Sequence, residues 1–285
     1  MKKIISFVTF VCFVNFVFAQ QVSMYPTNWF VGMKLNKVQV LLRSTDPGFS
    51  KAKFEVKYPG VTLTKTHSFT NGKYVALDLT IAPTAKAGNV KISATNAGKV
   101  SVYDWALLHR REGNGTKFAQ GVRSEDAVYL LMPDRFSNAD KTNDAFKDMR
   151  DSVANAGDIL LRHGGDLKGV ENHLNYIKEL GMTSIWMCPI IENDMPQSKE
   201  AAGWMSGYHG YWFTDHYKVD KRFGGNEAYK SLSDAMHKNG LKLIQDAVYN
   251  HVGDMHWMHN DAPALDWINQ WNSYTGSTHR EETVY

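Results

Sequence analysis

Residues 241–251 read LKLIQDAVYNH, a short apolar stretch that ends on an aspartate and continues into polar residues. The segment before it opens at Asn226, places apolar residues at helical spacing and stops at Gly240. A helix that leads directly into a buried strand is typical of α/β proteins with parallel sheets. The stretch therefore predicts a strand over 241–247 that carries Asp246 near its carboxyl end.

The same alternation of predicted strands and helices occurs closer to the N-terminus. Residues 127–132 (AVYLLM) are a continuous apolar run, which predicts a strand buried on both faces. A helix predicted between an N-cap at Asp166 and a stop at Gly181 leads into a second buried strand over 183–190. Alternating strands and helices imply parallel pairing with right-handed crossovers. Periodicity alone leaves open whether the sheet closes into a barrel.

Residues 21–112 follow a different pattern, with a period of two. Apolar residues occupy every second position of 75–81, and turn pairs such as Asn71-Gly72 separate the runs. Such short, half-buried strands predict a small antiparallel sandwich of immunoglobulin-like size. We therefore predict a signal peptide over 1–19, a sandwich over 20–112, a linker over 113–123 and an α/β domain over 124–285.

The N-terminus has the parts of an export signal. Lys2 and Lys3 precede an apolar run over 4–18, and Ala19 offers a small residue for cleavage. The run is shorter than the ~20 residues that a membrane-spanning helix needs. We therefore expect a secreted protein without a membrane span. After cleavage Cys188 would be the only cysteine, which excludes an intramolecular disulfide.

The charge balance bears on possible partners. The formal net charge is +3, and it falls to +1 if Lys2 and Lys3 leave with the signal. Nucleic-acid binding needs a clustered excess of Lys and Arg, so we expect no nucleic-acid partner.

Two loops at predicted strand ends contain residue types that suit ligand binding. In the first, four Asn and Asp residues lie within 138–144, and Gly164 and Asp166 stand near the next helix start. Such oxygens suit Ca²⁺, although Asn and Asp also favour ordinary turns. The second loop, SGYHGYWFTDHY over 206–217, is aromatic. Aromatic rings beside hydrogen-bonding groups suit a sugar, although core packing is the commoner role of any single ring.

Four motifs together resemble the α-amylase family of glycoside hydrolases. The segment 246–251 (DAVYNH) is similar to its first conserved region, and 208–212 (YHGYW) is similar to its substrate loop. Residues 133–136 (PDRF) and 164–169 (GGDLKG) resemble its first barrel strand and first helix start. The sandwich resembles the N-terminal domain of neopullulanases and cyclomaltodextrinases, especially the exported maltodextrin-degrading type of Bacteroidetes.

This resemblance implies an immunoglobulin-like β-sandwich followed by a (β/α)8 TIM barrel. It also implies hydrolysis of α-1,4-linked maltodextrins, starch fragments or cyclodextrins, a periplasmic location and a possible homodimer. The implied structural Ca²⁺ ligands are Asn138, Asp140, Asn143, Asp144, Gly164 and Asp166. The implied substrate-binding residues are His209, Tyr211, Asp246 and His251.

A retaining glycosidase needs two carboxyl groups that flank the scissile bond. In the family the nucleophile and the acid/base follow later barrel strands, and only three strands can be predicted here. We therefore name no catalytic residue and expect both carboxyl groups to lie beyond Tyr285. The chain would then be the N-terminal part of a longer enzyme, truncated after about the third strand and inactive alone.

Two alternatives stay open at this point. One is a shortened protein that binds glucan without cleaving it. The other is an unrelated open-sheet nucleotide binder, which would need a glycine-rich turn after its first strand. Pro133-Asp134-Arg135 is a poor substitute for such a turn.

Overall fold

The computed structural model describes residues 22–113, 115–259 and 261–269. The predicted signal peptide and its cleavage site lie outside the described residues. The chain divides into two compact units, residues 1–109 and 110–285. The exact domain and linker bounds given above stay a prediction. Among the described residues, none of the helices has the length and apolar character needed to cross a bilayer.

The first unit is built from two four-stranded sheets, ordered β1-β3-β6-β5 and β2-β8-β7-β4. Neighbouring strands pair antiparallel, except that β2 runs parallel to β8. The predicted antiparallel pairing is confirmed for the other neighbouring strands and is wrong at this pair. The strands are β1 (Val22–Tyr25), β2 (Asn28–Phe30), β3 (Lys37–Ser44), β4 (Lys53–Lys57), β5 (Val61–Ser68), β6 (Tyr74–Ile81), β7 (Gly88–Asn96) and β8 (Lys99–Leu108).

The apolar core of the first unit draws on both sheets. The alternating residues of β6, from Val75 to Ile81, are 0–3% exposed, as their period of two predicts. From the other sheet comes Trp105, which is fully buried and donates its indole N–H to the carbonyl oxygen of Pro26 at 2.9 Å. The largest ring of this core is thus buried with its polar group satisfied.

The second unit contains a three-stranded parallel sheet, ordered β15-β10-β9, and four α-helices among its described residues. Short strands fill the long loop after β10. The elements are β9 (Val128–Leu131), α1 (Pro133–Phe136), α2 (Leu167–Asn172), α3 (Leu174–Glu179), β10 (Ser184–Met187), β11 (Ile191–Glu192), β12 (Ser198–Glu200), β13 (Gly203–Met205), β14 (Asp215–Val219), α4 (Gly225–Lys238) and β15 (Lys242–Gln245).

The helix predicted from Asp166 begins as expected and then breaks. The Asp166 carboxylate accepts a hydrogen bond from the Gly169 backbone N–H at 2.6 Å, which caps α2. At His173 the backbone leaves the helical region (φ −109°, ψ 15°), so the single predicted helix becomes α2 and α3. The His173 ring nitrogen Nδ1 lies 2.8 Å from the Gly169 carbonyl oxygen and spans the break.

The parallel sheet is covered on one face only within the described part of the chain. Leu131, Ile185 and Met187 pack against α2, α3 and α4. On the opposite face Leu130 is 63% exposed and its neighbour Trp186 is 42% exposed. The expectation that the first strand is buried on both faces is therefore wrong, because no second layer of the described chain covers this face.

Candidate functional site

The candidate site lies where β15 ends. Asp246 directly follows β15, and one oxygen of its carboxylate, Oδ2, accepts two hydrogen bonds. The Tyr211 hydroxyl donates to it at 3.0 Å, and the Trp186 indole N–H donates at 3.1 Å. A charged acceptor makes stronger hydrogen bonds than a neutral one, so Asp246 orients both rings at the carboxyl end of the sheet.

The other two candidate substrate residues surround Tyr211. The His209 ring stacks on the Tyr211 ring, with centroids 5.7 Å apart and an interplanar angle of 23°. His251 Nε2 lies 2.9 Å from the Tyr211 carbonyl oxygen and donates to it, since a carbonyl can only accept. The structure thus brings His209, Tyr211, Asp246 and His251 into one cluster. The residues that join its two loops, Tyr211 with Asp246 and Tyr211 with His251, are 35 and 40 residues apart in the sequence.

Burial shifts the pKa of two groups in this cluster, His209 and Tyr211. Desolvation, together with the positive charge of Arg162, lowers the pKa of His209 to about 4. The ring is therefore neutral at pH 7, and its Nδ1 accepts the Tyr211 backbone N–H at 3.0 Å. Burial and the hydrogen bond to Asp246 raise the pKa of the Tyr211 hydroxyl well above its ordinary value, so this group stays a donor.

Buried charges hold the loop that carries these aromatic residues. The carbonyl oxygen of Gly207, which directly precedes the YHGYW segment, accepts hydrogen bonds from the Asn193 amide at 2.8 Å and from Arg162 at 3.3 Å. The backbone N–H of Asn193 donates to Asp220, which pairs with Arg222 at 2.7 Å. Burial opposes ionisation of Asp220, but its contacts with Arg222 lower its pKa overall.

The candidate cation loop is partly assembled around Gly164. The Asn138 amide N–H donates to the Asp144 carboxylate at 2.7 Å. A Cβ at Gly164 would lie 2.6 Å from atoms of both residues, and its φ of +84° also favours glycine. Asn138, Asp144 and Gly164 therefore form one tight group.

The other three candidate ligands, Asn143, Asp140 and Asp166, differ in their burial and in their hydrogen bonds. Asn143 is buried, whereas the Asp140 carboxylate is exposed and accepts from the backbone N–H of Thr142 at 3.0 Å. The Asp166 carboxylate accepts backbone N–H groups from Ala139 and Asp140 as well as from α2. Across the described ranges no three His, Cys, Asp or Glu side chains are grouped as metal ligands, so any cation here depends on amide and carbonyl oxygens too.

The catalytic carboxyl groups are expected beyond Tyr285, the last residue of the sequence. Residues 270–285, Tyr285 included, lie outside the described residues. The location of the nucleophile and the acid/base therefore stays a prediction, and so does the inactivity of the chain alone.

Sequence reasoning missed Trp186 as part of the site. The apolar run predicts it only as one residue of a buried strand, yet its exposed side carries the indole that contacts Asp246. The alternation of strand faces could have shown that Trp186 lies opposite the helix-packed Ile185 and Met187. Cys188 is buried as predicted, and burial raises the pKa of its thiol, which does not favour a nucleophile.

The side chains of this cluster converge where the parallel strands of the second unit end, which is where TIM-barrel proteins place their active sites. Residues 130–281, more than half of the chain, match the α-amylase catalytic domain. Residues 23–111 match the N-terminal domain of cyclomaltodextrinases. The chain belongs to the α-amylase family, and the nucleotide-binder alternative is wrong. The fold is an immunoglobulin-like sheet domain followed by part of an α-amylase TIM barrel, as predicted.

Individual relatives are similar to parts of this chain. Neopullulanase 2 of Thermoactinomyces vulgaris is 33% identical over 168 residues, which are 57% of this chain and 25% of that protein. The cyclomaltodextrinase of Thermoanaerobacter pseudethanolicus is 34% identical over 136 residues, 48% of this chain and 21% of that protein. An Anoxybacillus α-amylase crystal structure has 38% identity and a TM-score of 0.43, over 51% of this chain and 28% of that chain. The chain thus spans about a quarter of the length of these relatives.

Proposed function

We propose that this chain is the N-terminal part of a retaining α-glucan hydrolase of the neopullulanase and α-amylase type. Its substrates would be α-1,4-linked maltodextrins, starch fragments or cyclodextrins. The observation that carries the proposal is the network in which Asp246 fixes the Tyr211 hydroxyl while His251 fixes the Tyr211 backbone. The similarity to a neopullulanase and to a cyclomaltodextrinase supports the same class of substrate.

The geometry suits one glucosyl residue. Tyr211 is 37% exposed, so part of its ring can face a ligand, and the apolar C–H face of a pyranose fits against such a surface. His251 uses Nε2 to bind the protein, so its other ring nitrogen, Nδ1, can form a hydrogen bond with a sugar hydroxyl. Asp246 holds the ring in place, so little conformational freedom is lost when the sugar binds.

Titration of the chain with maltoheptaose, followed by calorimetry, tests the binding part of the proposal. We expect Tyr211→Ala to weaken binding by about tenfold or more, the size of effect seen for buried aromatic anchors. Tyr176→Ala, which removes an exposed tyrosine from α3, is the matched control and should leave the affinity unchanged. Equal affinities for all three proteins would refute the assignment of Tyr211.

Release of reducing sugar separates hydrolysis from simple binding. Retaining cleavage needs a nucleophilic carboxylate and an acid, and we assign neither role to a residue of this chain. We therefore expect the chain to bind maltoheptaose without cleaving it. Turnover by the purified chain would contradict this expectation, while binding by a naturally shortened product would support the alternative of a non-catalytic glucan-binding protein.

We further propose that the loop at 138–144 holds a structural Ca²⁺ with Gly164 and Asp166. Two buried oxygens, Oδ1 of Asn138 and Oδ1 of Asn143, have no hydrogen-bond partner in the described part of the chain. Unpaired buried acceptors are costly, and hard oxygen atoms are what Ca²⁺ binds, so these residues fit the ion. Bound Ca²⁺ would supply positive charge that satisfies both oxygens and joins the loop to the start of α2.

Thermal unfolding of Asn143→Leu with and without Ca²⁺ tests this site. Leucine has a similar size but no acceptor oxygen, so in EGTA the variant should match or exceed the wild type in stability. In excess Ca²⁺ only the wild type should gain stability, because only the wild type would bind the ion. Asn172→Leu, at an exposed position of α2, is the control and should keep the Ca²⁺ response. A Ca²⁺ response retained by Asn143→Leu would exclude Asn143 as a ligand.

Export to the periplasm and homodimer formation remain predictions. The first rests on the N-terminal signal pattern and the second on the family resemblance. Cell fractionation with an antibody to the chain tests the location, and sedimentation equilibrium tests the oligomeric state.

A further inference from the structure

The strands β12 and β13 form an antiparallel hairpin that presents a tryptophan to solvent. Trp204 is 60% exposed. It lies directly opposite Lys199 in the register of the hairpin. Residues directly opposite each other in an antiparallel pair project from the same face, so an ammonium group accompanies the ring. A large ring beside a flexible donor has the two features that the face and hydroxyl rim of a sugar require.

The strand that carries Trp204 is anchored on Leu160. The backbone N–H of Ser206, just after β13, donates to the carbonyl oxygen of Leu160 at 2.9 Å, and Ser206 is fully buried. At Gly203 an added Cβ would lie 3.1 Å from the Leu160 side chain, so the hairpin packs closely on this residue. An anchored ring costs less conformational entropy on binding than one on a free loop.

The hairpin also leads directly into the candidate sugar site. Only Met205, Ser206 and Gly207 separate Trp204 from the YHGYW segment. The carboxylate of Glu200 on β12 acts electrostatically on His209, which stacks on Tyr211. The chain from Trp204 to Tyr211 is short enough that it spans ~25 Å at most. An oligosaccharide that contacts both the hairpin and Tyr211 would therefore have to bridge a backbone separation of ~25 Å or less.

We propose that Trp204 and Lys199 form an outer subsite that stacks a glucosyl residue of a long α-glucan whose other end lies at Tyr211. This proposal rests on the proposed function. It adds a determinant of chain length, since short maltooligosaccharides would occupy the Tyr211 cluster without contacting the hairpin.

Calorimetric titration of the chain with maltotriose and with maltoheptaose tests the subsite. For Trp204→Ala we expect about tenfold weaker binding of maltoheptaose and unchanged binding of maltotriose. Trp204→Phe keeps a ring to stack on and should restore most of the loss. Tyr176→Ala, which removes an exposed aromatic ring from α3, should bind both sugars like the wild type. Near-ultraviolet circular dichroism of each variant checks that it has folded.

Each outcome separates the two proposals. If the wild type binds both sugars and Trp204→Ala binds both equally well, the outer subsite is refuted while the Tyr211 site stands. If Trp204→Ala loses affinity for both sugars to the same extent, Trp204 is not an outer determinant and the inference also fails. If the wild type binds neither sugar, the proposed function fails and the subsite fails with it.

Discussion

Apolar strand residues are buried to different extents in the two units. Leu77 on β6 of the sandwich is fully buried, whereas Leu130 on β9 of the parallel sheet is 63% exposed. Both are leucines within strands, although β6 lies between two strands and β9 pairs with β10 alone in the described part of the chain. The difference is that the sandwich places a second sheet over Leu77, while the described chain places no layer over Leu130. The strand sequence therefore determines which side chains are suited to burial. Whether such a side chain is buried depends on the layer that packs against it.

The units also differ in how they use charge. The core of the sandwich is apolar, whereas the second unit buries the Asp220–Arg222 pair beside the loop that carries its candidate site. Buried ion pairs add little net stability, and in some proteins they specify a single arrangement of the groups around them. We infer that the second unit places its aromatic loop through this pair.

The largest effect is expected from breaking that pair. Arg222→Met leaves the Asp220 carboxylate buried without its partner, which should destabilise the second unit by about 3–5 kcal/mol. Hydrogen exchange measured by mass spectrometry should show faster exchange in β10 and β14 and unchanged exchange in β6. The double variant Asp220→Leu/Arg222→Met removes both charges and should recover much of the loss. Equal destabilisation by the single and double variants would show that the unpaired charge is not the cause.

A matched pair of leucine variants tests the comparison of the two faces. Leu77→Ala creates a cavity in an enclosed core and should cost about 2–5 kcal/mol in the unfolding of the sandwich. Leu130→Ala should change stability by about 0.5 kcal/mol or less, because the side chain is already exposed. Urea unfolding followed by circular dichroism measures both. A large loss for Leu130→Ala would mean that this face is covered in solution.

The smallest effect concerns pH and His209. Its folded pKa of about 4 lies below the ordinary value of 6.5, so the unfolded chain binds more protons between these values. The contribution of His209 to stability is therefore complete above pH 6.5, decreases as the pH falls and is lost near pH 4. Because the ring is partly exposed, we expect about 1 kcal/mol or less in total. His209→Gln should flatten the pH dependence of unfolding in the second unit. An unchanged slope in this variant would assign the dependence to other groups.

Local patterns were sufficient for several features of this molecule. The alternation in 75–81, the N-cap at Asp166 and a strand leading to Asp246 follow from side-chain periodicity and local hydrogen bonding, and the structure has all three, although β15 ends at Gln245 and not at residue 247. The break at His173 was missed, since the interrupted segment keeps a helical spacing of apolar residues. The short strands between β10 and α4 were also missed, because they pair with one another across a long loop.

The sequence by itself determined the family, the two kinds of unit and the residue types at each strand end, because these depend on local periodicity and on motifs in a set order. Only the tertiary structure decided that Trp186 and Tyr211 share one carboxylate oxygen of Asp246, that Asn143 buries an oxygen without a partner in the described chain, and that one face of the parallel sheet lies open there. Those features join residues far apart in the chain, and their energies depend on burial, which no local pattern specifies.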